Sequence, residues 1–177
     1  EADALKFDFA TLGDNLRIVG NLPYNISTPL LFHLLDCRAH IQDMHFMLQK
    51  EVVDRMAAPP GSRDFGRLTV MLGCALQVAH LFDVPPGAFV PPPRVMSAVV
   101  RLVPLPPGAF EIIDHSVLSG LVAQAFSQRR KTIRNSLRQR ATESELLAAG
   151  IEPGARPEQI PVAAWIDLAN ALADVPA

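Results

Sequence analysis

Four consecutive residues, Asn21-Leu22-Pro23-Tyr24, combine an amide, a rigid backbone and an aromatic ring. The Asn21 side chain offers an acceptor oxygen. Pro23 has no N–H and stiffens the chain, which helps to turn backbone carbonyls outward. Tyr24 offers a π-face on which a planar base can stack, worth roughly 1–3 kcal/mol. An exocyclic amine on a flat ring requires two carbonyl acceptors beside one aromatic face. The acceptors hold its hydrogens and leave the nitrogen lone pair aimed at an electrophile. This is catalysis by proximity and orientation, with no base needed before attack. The same tetrapeptide also fits a plain strand-to-helix turn with a buried tyrosine, and the four residues alone leave both readings open.

A second group of residues points to an anionic partner. Arg129, Arg130, Lys131, Arg134, Arg138 and Arg140 follow one another with no acidic residue between them, although the whole chain carries a net charge of −2. A helix over 128–140 would align Arg130, Arg134 and Arg138 at i, i+4 and i+8, with Ile133 and Leu137 on the adjoining face to hold it to a core. Like charges at that spacing repel, so the stripe is best tolerated where a phosphate backbone neutralises it. The competing reading is a solvated helix face, the ordinary meaning of a charge run. The lack of interleaved acids favours nucleic acid.

Both groups need elements to hold them. Leu16-Arg17-Ile18-Val19-Gly20 is a short apolar run ending in glycine and reads as a buried strand. The Asn21 loop therefore leaves the carboxyl end of a strand, where open α/β sheets bind ligands. Ser27-Thr28-Pro29 offers a cap hydroxyl and a first-turn proline for a helix through Leu30, Leu31, Leu34 and Leu35. Asp43 to Gln49 reads as the next strand, and a helix carrying Val52, Val53 and Met56 then stops at Pro59-Pro60-Gly61. This alternation predicts an open α/β sheet with parallel strands. Residues 68–79 read as a helix passing into a strand at 77–84. Val95 to Leu102 is a β-branched strand that could pair with it antiparallel.

Pro104, Pro106, Pro107 and Gly108 mark a hinge, and beyond it only helices are expected. They cover 114–126, 128–140, a segment with the capping box Thr142-Glu143-Ser144-Glu145 that ends at Gly150, and a last one after Pro161. Trp165 fills the core of this helical part. The expected architecture is an α/β domain over 1–106 and a small helical domain over 107–177.

Composition bounds the rest. With 177 residues, 49% hydrophobic and 19% charged, the chain can bury a core and is not disordered. No apolar run approaches the ~20 residues of a spanning helix, so an integral membrane protein is excluded, and no secretory signal is visible. Two cysteines, Cys37 and Cys74, are too few for a disulfide scaffold and fit a reducing, cytoplasmic compartment. His33 and Cys37, with Asp36 beside them, are too few ligands for a metal site. The sequence offers no convincing catalytic base for Ser27 or Ser97, which disfavours a hydrolase.

Asn21-Leu22-Pro23-Tyr24-Asn25-Ile26-Ser27-Thr28-Pro29 resembles the catalytic loop of the ribosomal RNA adenine N6,N6-dimethyltransferases. The likeness continues through 44–53, 89–102 (Phe89-Val90-Pro91-Pro92-Pro93-Arg94 onward) and 125–137 (Ala125-Phe126-Ser127-Gln128-Arg129-Arg130-Lys131-Thr132 onward). Four blocks in the right order are highly specific, and they are most similar to the family's bacterial small-subunit branch. The resemblance implies a Rossmann-like class I methyltransferase sheet with a C-terminal helical domain. It also implies S-adenosyl-L-methionine as cofactor and, as substrate, two adjacent adenosines near the 3′ end of 16S rRNA in the small ribosomal subunit.

At matching positions, Asn21 and the backbone of Leu22 and Pro23 would bind the target amine, with Asn21 also near the cofactor. Tyr24 and Phe89 would stack on the two faces of an extruded adenine. The Asp3 carboxylate and the Ala4 N–H would hold the cofactor's adenine. Arg129, Arg130, Lys131, Arg134 and Arg138 would grip RNA backbone. The family's glycine-rich cofactor loop and its ribose-binding acid have no counterpart in 1–177. The α/β half is therefore expected to lack its N-terminal strands, with this stretch alone inactive. A monomer without metal is expected. The alternatives are a non-catalytic RNA-binding assembly factor on the same scaffold, or methylation of DNA adenine or a protein amide. Leu22 and the arginine block disfavour the last.

Overall fold

The computed structural model describes residues 2–23 and 25–173, and these fall into two compact units. The first comprises Glu1–Ala57 and Ala75–Leu105, the second Ala58–Cys74 and Pro106–Ala177. The break at Leu105 matches the proline-rich hinge, but one cut at 106/107 does not describe the packing. Ala58–Cys74 joins the C-terminal helices, because Phe65 and Val70 are buried in their core.

The first unit is built on a four-stranded sheet with strands β1 (Leu16–Asn21), β2 (Ile41–Gln49), β3 (Leu76–Val84) and β4 (Ser97–Pro104), in the order β1-β2-β4-β3. β1 and β2 are parallel, joined through helix α1 (Ser27–Asp36), as the strand–helix alternation requires. β4 runs antiparallel to both β2 and β3, so the sheet is mixed rather than parallel throughout. The reason is connectivity: the 85–96 connection carries only a 3₁₀ turn at Pro86–Ala88 and supplies no crossover helix.

Alternation along the strands sorts two faces. Met44, Phe46, Leu48, Ala98, Val100 and Leu102 are buried on one, where helix α2 (Lys50–Met56) packs against β2, β3 and β4. Arg17, Val19 and Asn21 of β1 are exposed on the other. On that face Asp43, 3% exposed, receives two hydrogen bonds from Arg17 (2.9 and 3.0 Å), and Arg101 lies 3.5 Å away. α1 departs from expectation at its start. Its N-cap is Ile26 with no side-chain cap, and Ser27 is already helical, because the Ile26 N–H closes a turn onto the Pro23 carbonyl at 3.1 Å.

The second unit is helical: α3 (Arg67–Gly73), α4 (His115–Ser127), α5 (Ile133–Ser136), α6 (Glu143–Ala148) and α7 (Val162–Ala173). Leu118, Leu121, Val122 and Ala125 of α4 recur at i, i+3, i+4 and i+7 and face the same core as Trp165 of α7, which is fully buried. The capping box is present: Thr142 Oγ1 accepts from the Glu145 N–H at 3.3 Å, and Glu145 Oε2 accepts from the Thr142 N–H at 2.7 Å. The turn after α6 places Gly150 at φ +71°, a conformation glycine adopts without steric cost.

The basic helix over 128–140 does not form. α4 ends at Ser127, Thr132 is extended (φ −66°, ψ 156°), and only Ile133–Ser136 is helical. Tertiary bonds displace the helical ones there: the Ile133 N–H donates to the Ala155 carbonyl at 2.7 Å and the Arg134 N–H to Pro153 at 3.2 Å. Arg130, Arg134 and Arg138 therefore do not share one helical stripe.

The Arg17 hydrogen bonds hold the Asp43 carboxyl below the ordinary carboxylate range, against the opposing effect of its burial. The stability this supplies is complete above the unfolded-state pKa of about 3.9 and is lost as pH falls through the lower folded value. Asp43→Asn should melt below the wild type at pH 7, and the gap should close in thermal melts taken at progressively lower pH below about 4.

Candidate active site

The Asn21 loop is positioned by the β1–β2 ladder. Asn21 pairs with Met47, and the ladder extends one residue further, with the Leu22 N–H donating to the Met47 carbonyl at 3.2 Å. The Leu22 side chain turns back and is buried. Gly20 makes room for it: a Cβ there would lie 3.2 Å from Leu22 Cδ2 and 3.7 Å from the Phe46 ring. With its side chain and N–H both committed inward, Leu22 presents its carbonyl at the rim. Among the described residues no N–H donates to that carbonyl, and the exposed Asn21 amide has no hydrogen-bond partner. The Pro23 carbonyl already accepts from Ile26 and retains one lone pair. Among the described residues two open acceptors thus belong to consecutive residues at a strand's carboxyl end. Tyr24 lies outside the described residues.

The register brings other elements to the same rim. Gln49 at the end of β2 pairs with Ser97 at the start of β4, which pairs with Val84 at the end of β3. Phe89 is half-buried in the 85–96 connection that leaves and returns at this end. Lys50, the first residue of α2, also lies here. Its Nζ is 2.9 Å from Asp54 Oδ1 and 3.3 Å from Asp83 Oδ1, and Asp83 Oδ1 contacts His80 Nε2 at 2.8 Å. The Asp54 hydrogen bond, with Asp83 adding to it, raises the Lys50 pKa. Sequence reading missed this group, since only the Lys50/Asp54 spacing of four is visible without the fold.

Asp3 and Ala4 lie in a turn closed by the Lys6 N–H on the Asp3 carbonyl at 3.0 Å. Asp3 Oδ1 accepts from the Leu5 N–H at 3.0 Å, whereas among the described residues Oδ2 has only Lys6 Nζ at 3.9 Å. The Ala4 N–H has no partner among the described residues. His33 Nε2 lies 2.8 Å from the Phe7 carbonyl, and Cys37 is a buried free thiol. Among the described residues no three His, Cys, Asp or Glu converge on a metal position, and no helix is long and apolar enough to cross a membrane.

In the helical unit the basic residues divide into two kinds. Arg129 is half-buried; it donates to the Arg63 carbonyl and, at 3.5 Å, to the Ser62 carbonyl, with Nε 3.6 Å from Glu158 Oε2. Arg134 pairs with Glu143 at 3.0 Å. The acids missing between the arginines in sequence are thus supplied by the tertiary fold. Arg130, Lys131 and Arg138 are exposed and, among the described residues, unpaired. Two further arginines converge on neighbouring residues of α4. Arg67 Nη2 is 3.5 Å from Ser119 Oγ, and Arg140 Nη1 lies where a Cβ on Gly120 would be only 2.9 Å away. A glycine inside a helix was the one sequence signal of that approach.

The sequence profile described as ribosomal RNA adenine dimethylase matches residues 1–174. The chain belongs to the ribosomal RNA adenine dimethylase family. It is 57% identical over 173 residues to a protein of Aromatoleum aromaticum named ribosomal RNA small subunit methyltransferase A, covering 98% of this chain and 65% of that protein. It is 56% identical over 177 residues to the protein of that name in Pseudomonas syringae pv. syringae, covering 98% and 66%. The chain therefore spans about two thirds of the length of these relatives.

Among solved structures, a dimethyladenosine transferase from Plasmodium falciparum superposes with a TM-score of 0.79 at 24% identity, over 95% of this chain and 69% of that one. The 23S rRNA methyltransferase ErmE gives a TM-score of 0.70 at 23% identity, over 98% and 70%. The fold of this dimethylase-family chain is thus the Rossmann-like class I methyltransferase sheet with a C-terminal helical part.

The two kinds of arginine should behave differently on mutation. Arg129→Ala removes hydrogen bonds to two carbonyls and leaves the buried Glu158 Oε2, which has no hydrogen-bond partner, without its counter-ion. It should cost about 1–3 kcal/mol and lower the melting temperature by several degrees. Arg130→Ala should leave the melting temperature unchanged, and equal thermal shifts for the two variants would refute the distinction.

Proposed function

We propose that the protein uses S-adenosyl-L-methionine to dimethylate N6 of two adjacent adenosines near the 3′ end of 16S rRNA in the small ribosomal subunit, as a cytoplasmic step of ribosome biogenesis. The observation that carries this reading is the pair of acceptors, the Asn21 amide and the Leu22 carbonyl, that have no partner among the described residues at the carboxyl end of β1 in a chain of the dimethylase family. The small-subunit assignment is supported by the names of the relatives.

The chain's residues divide the work. Asn21 Oδ1 and the Leu22 carbonyl accept the two hydrogens of the exocyclic amine, with the Pro23 carbonyl as a further acceptor, and so direct the nitrogen lone pair out of the ring plane. Phe89 stacks on one face of the extruded adenine, and Tyr24 is assigned the other. Asp3 Oδ2, which has acceptor capacity left, and the Ala4 N–H suit the amine and ring nitrogen of the cofactor's adenine. When bound, S-adenosyl-L-methionine supplies an electrophilic methyl group. The methylated nitrogen gives its proton to water, and the second round needs room for one methyl beside Asn21. In the helical unit Arg130, Lys131 and Arg138 hold RNA phosphates, joined by Arg67 and Arg140. Such contacts supply affinity without reading sequence.

Two measurements test this. In the full-length protein, assayed with unmethylated small subunits and labelled cofactor, Asn21→Ala should lower methyl transfer at least about a hundredfold, the scale of losing a donor or acceptor at a reacting atom, while particle binding persists. A protein that only assists assembly would bind the particle and transfer no label. Replacing Arg130, Lys131 and Arg138 together by Gln should reduce the slope of log affinity against log salt by about two to three, whereas Arg134→Gln should change it less. An unchanged slope in the triple variant would mean a merely solvated surface.

A further inference from the structure

We propose that Lys50 is a positioning residue for the target base, clamping both ends of the 85–96 connection and thereby orienting Phe89. The inference rests on the stacking role of Phe89 and adds the means by which that side chain is held.

The pairing of Val84 with Ser97 joins the two ends of the connection, and Lys50 adds a tie to them from α2. The connection contains no strand or α-helix beyond its single 3₁₀ turn, and Val90 next to Phe89 is fully exposed. Within the loop the Phe89 N–H closes the 3₁₀ turn on the Pro86 carbonyl at 3.2 Å, but among the described residues no hydrogen bond ties that turn to the sheet. Lys50 reaches both ends of the connection at once. Its backbone N–H donates to the Met96 carbonyl, just before β4, at 2.9 Å. Its Nζ lies 3.3 Å from Asp83, just before the connection departs. The first bond is available because the opening N–H groups of a helix have no intrahelical acceptor, and Lys50 is the first residue of α2.

Local preference argues against a lysine there, since a cation meets the positive end of the helix. Its placement is offset by the two carboxylates, Asp54 within α2 and Asp83 on β3. Asp54 by itself would make an ordinary half-buried i, i+4 pair within one helix. Asp83 is the partner that makes the lysine a link between elements. It is oriented in turn by His80 at 2.8 Å.

The test is a double-mutant cycle in the full-length protein, assayed for methyl transfer to unmethylated small subunits, with thermal melts alongside. Phe89→Ala should lower kcat. Lys50→Met should lower kcat between about tenfold and a hundredfold, the scale for a displaced reacting group, with KM for the particle and cofactor affinity little changed. Lys50→Met combined with Phe89→Ala should be no slower than Phe89→Ala alone, because both remove the same stacking contact. Lys50→Arg should restore most of the loss, and Asp54→Asn should be milder than Asp83→Asn. Additive losses in the double variant, or an Asp54→Asn as damaging as Lys50→Met, would overturn the clamp. A Phe89→Ala variant with normal turnover would instead remove the stacking role on which it rests. No transfer by the wild type would refute the functional reading itself.

Discussion

A single backbone hydrogen bond, from the Leu22 N–H to the Met47 carbonyl, governs the candidate site. It prolongs the parallel β1–β2 pairing one residue past the strand and so determines which groups point outward. The N–H faces the neighbouring strand, and the side chain folds into the space that Gly20 leaves open. Only the carbonyl remains to face the rim. An acceptor held this way needs no reorganisation when an amine arrives, which is the physical content of preorganisation. The adjacent turn, closed by Ile26 on the Pro23 carbonyl, sends the chain directly into α1. The two ends of the loop are thus tied to a strand and a helix rather than to other loops.

Charge in this protein is used in two distinct ways. Asp43 is almost wholly buried and is bracketed by Arg17 and Arg101 from the flanking strands, so its cost of desolvation is met by paired, hydrogen-bonded cations. Arg129 serves structure as well, since its guanidinium ties the 61–64 turn to the turn at Pro157–Gln159. Among the described residues Arg130, Lys131 and Arg138 have no such obligations. A cation with no intramolecular partner keeps its donors for a ligand, and phosphate is the ligand such a surface suits. The arginine block is therefore a mixture, and its members are sorted by partners far away in sequence.

Much of this architecture was legible from local pattern. The capping box of α6, the helix α4 and the β-strand after the triple proline depend on residues within a few positions of one another, and they stand close to where pattern and capping rules put them. The same holds for the Asn21 loop, because a strand followed by a helix leaves only one place for the tetrapeptide between them. Where local reasoning failed, a distant segment intervened. The carbonyls of Pro153 and Ala155 took the N–H groups of Arg134 and Ile133 and broke the basic helix at Thr132.

Residue order alone determined the family, the strand–loop–helix that carries Asn21, and the presence of an unbalanced basic block, since each is written in contiguous residues. Tertiary structure decided that the sheet is mixed, that 58–74 belongs with the C-terminal helices, which arginines are free, and that Lys50 joins α2 to both ends of the 85–96 connection. These depend on pairings across tens of residues. Hydrogen bonds and ion pairs act over a few ångströms in space and carry no mark of the chain distance they span.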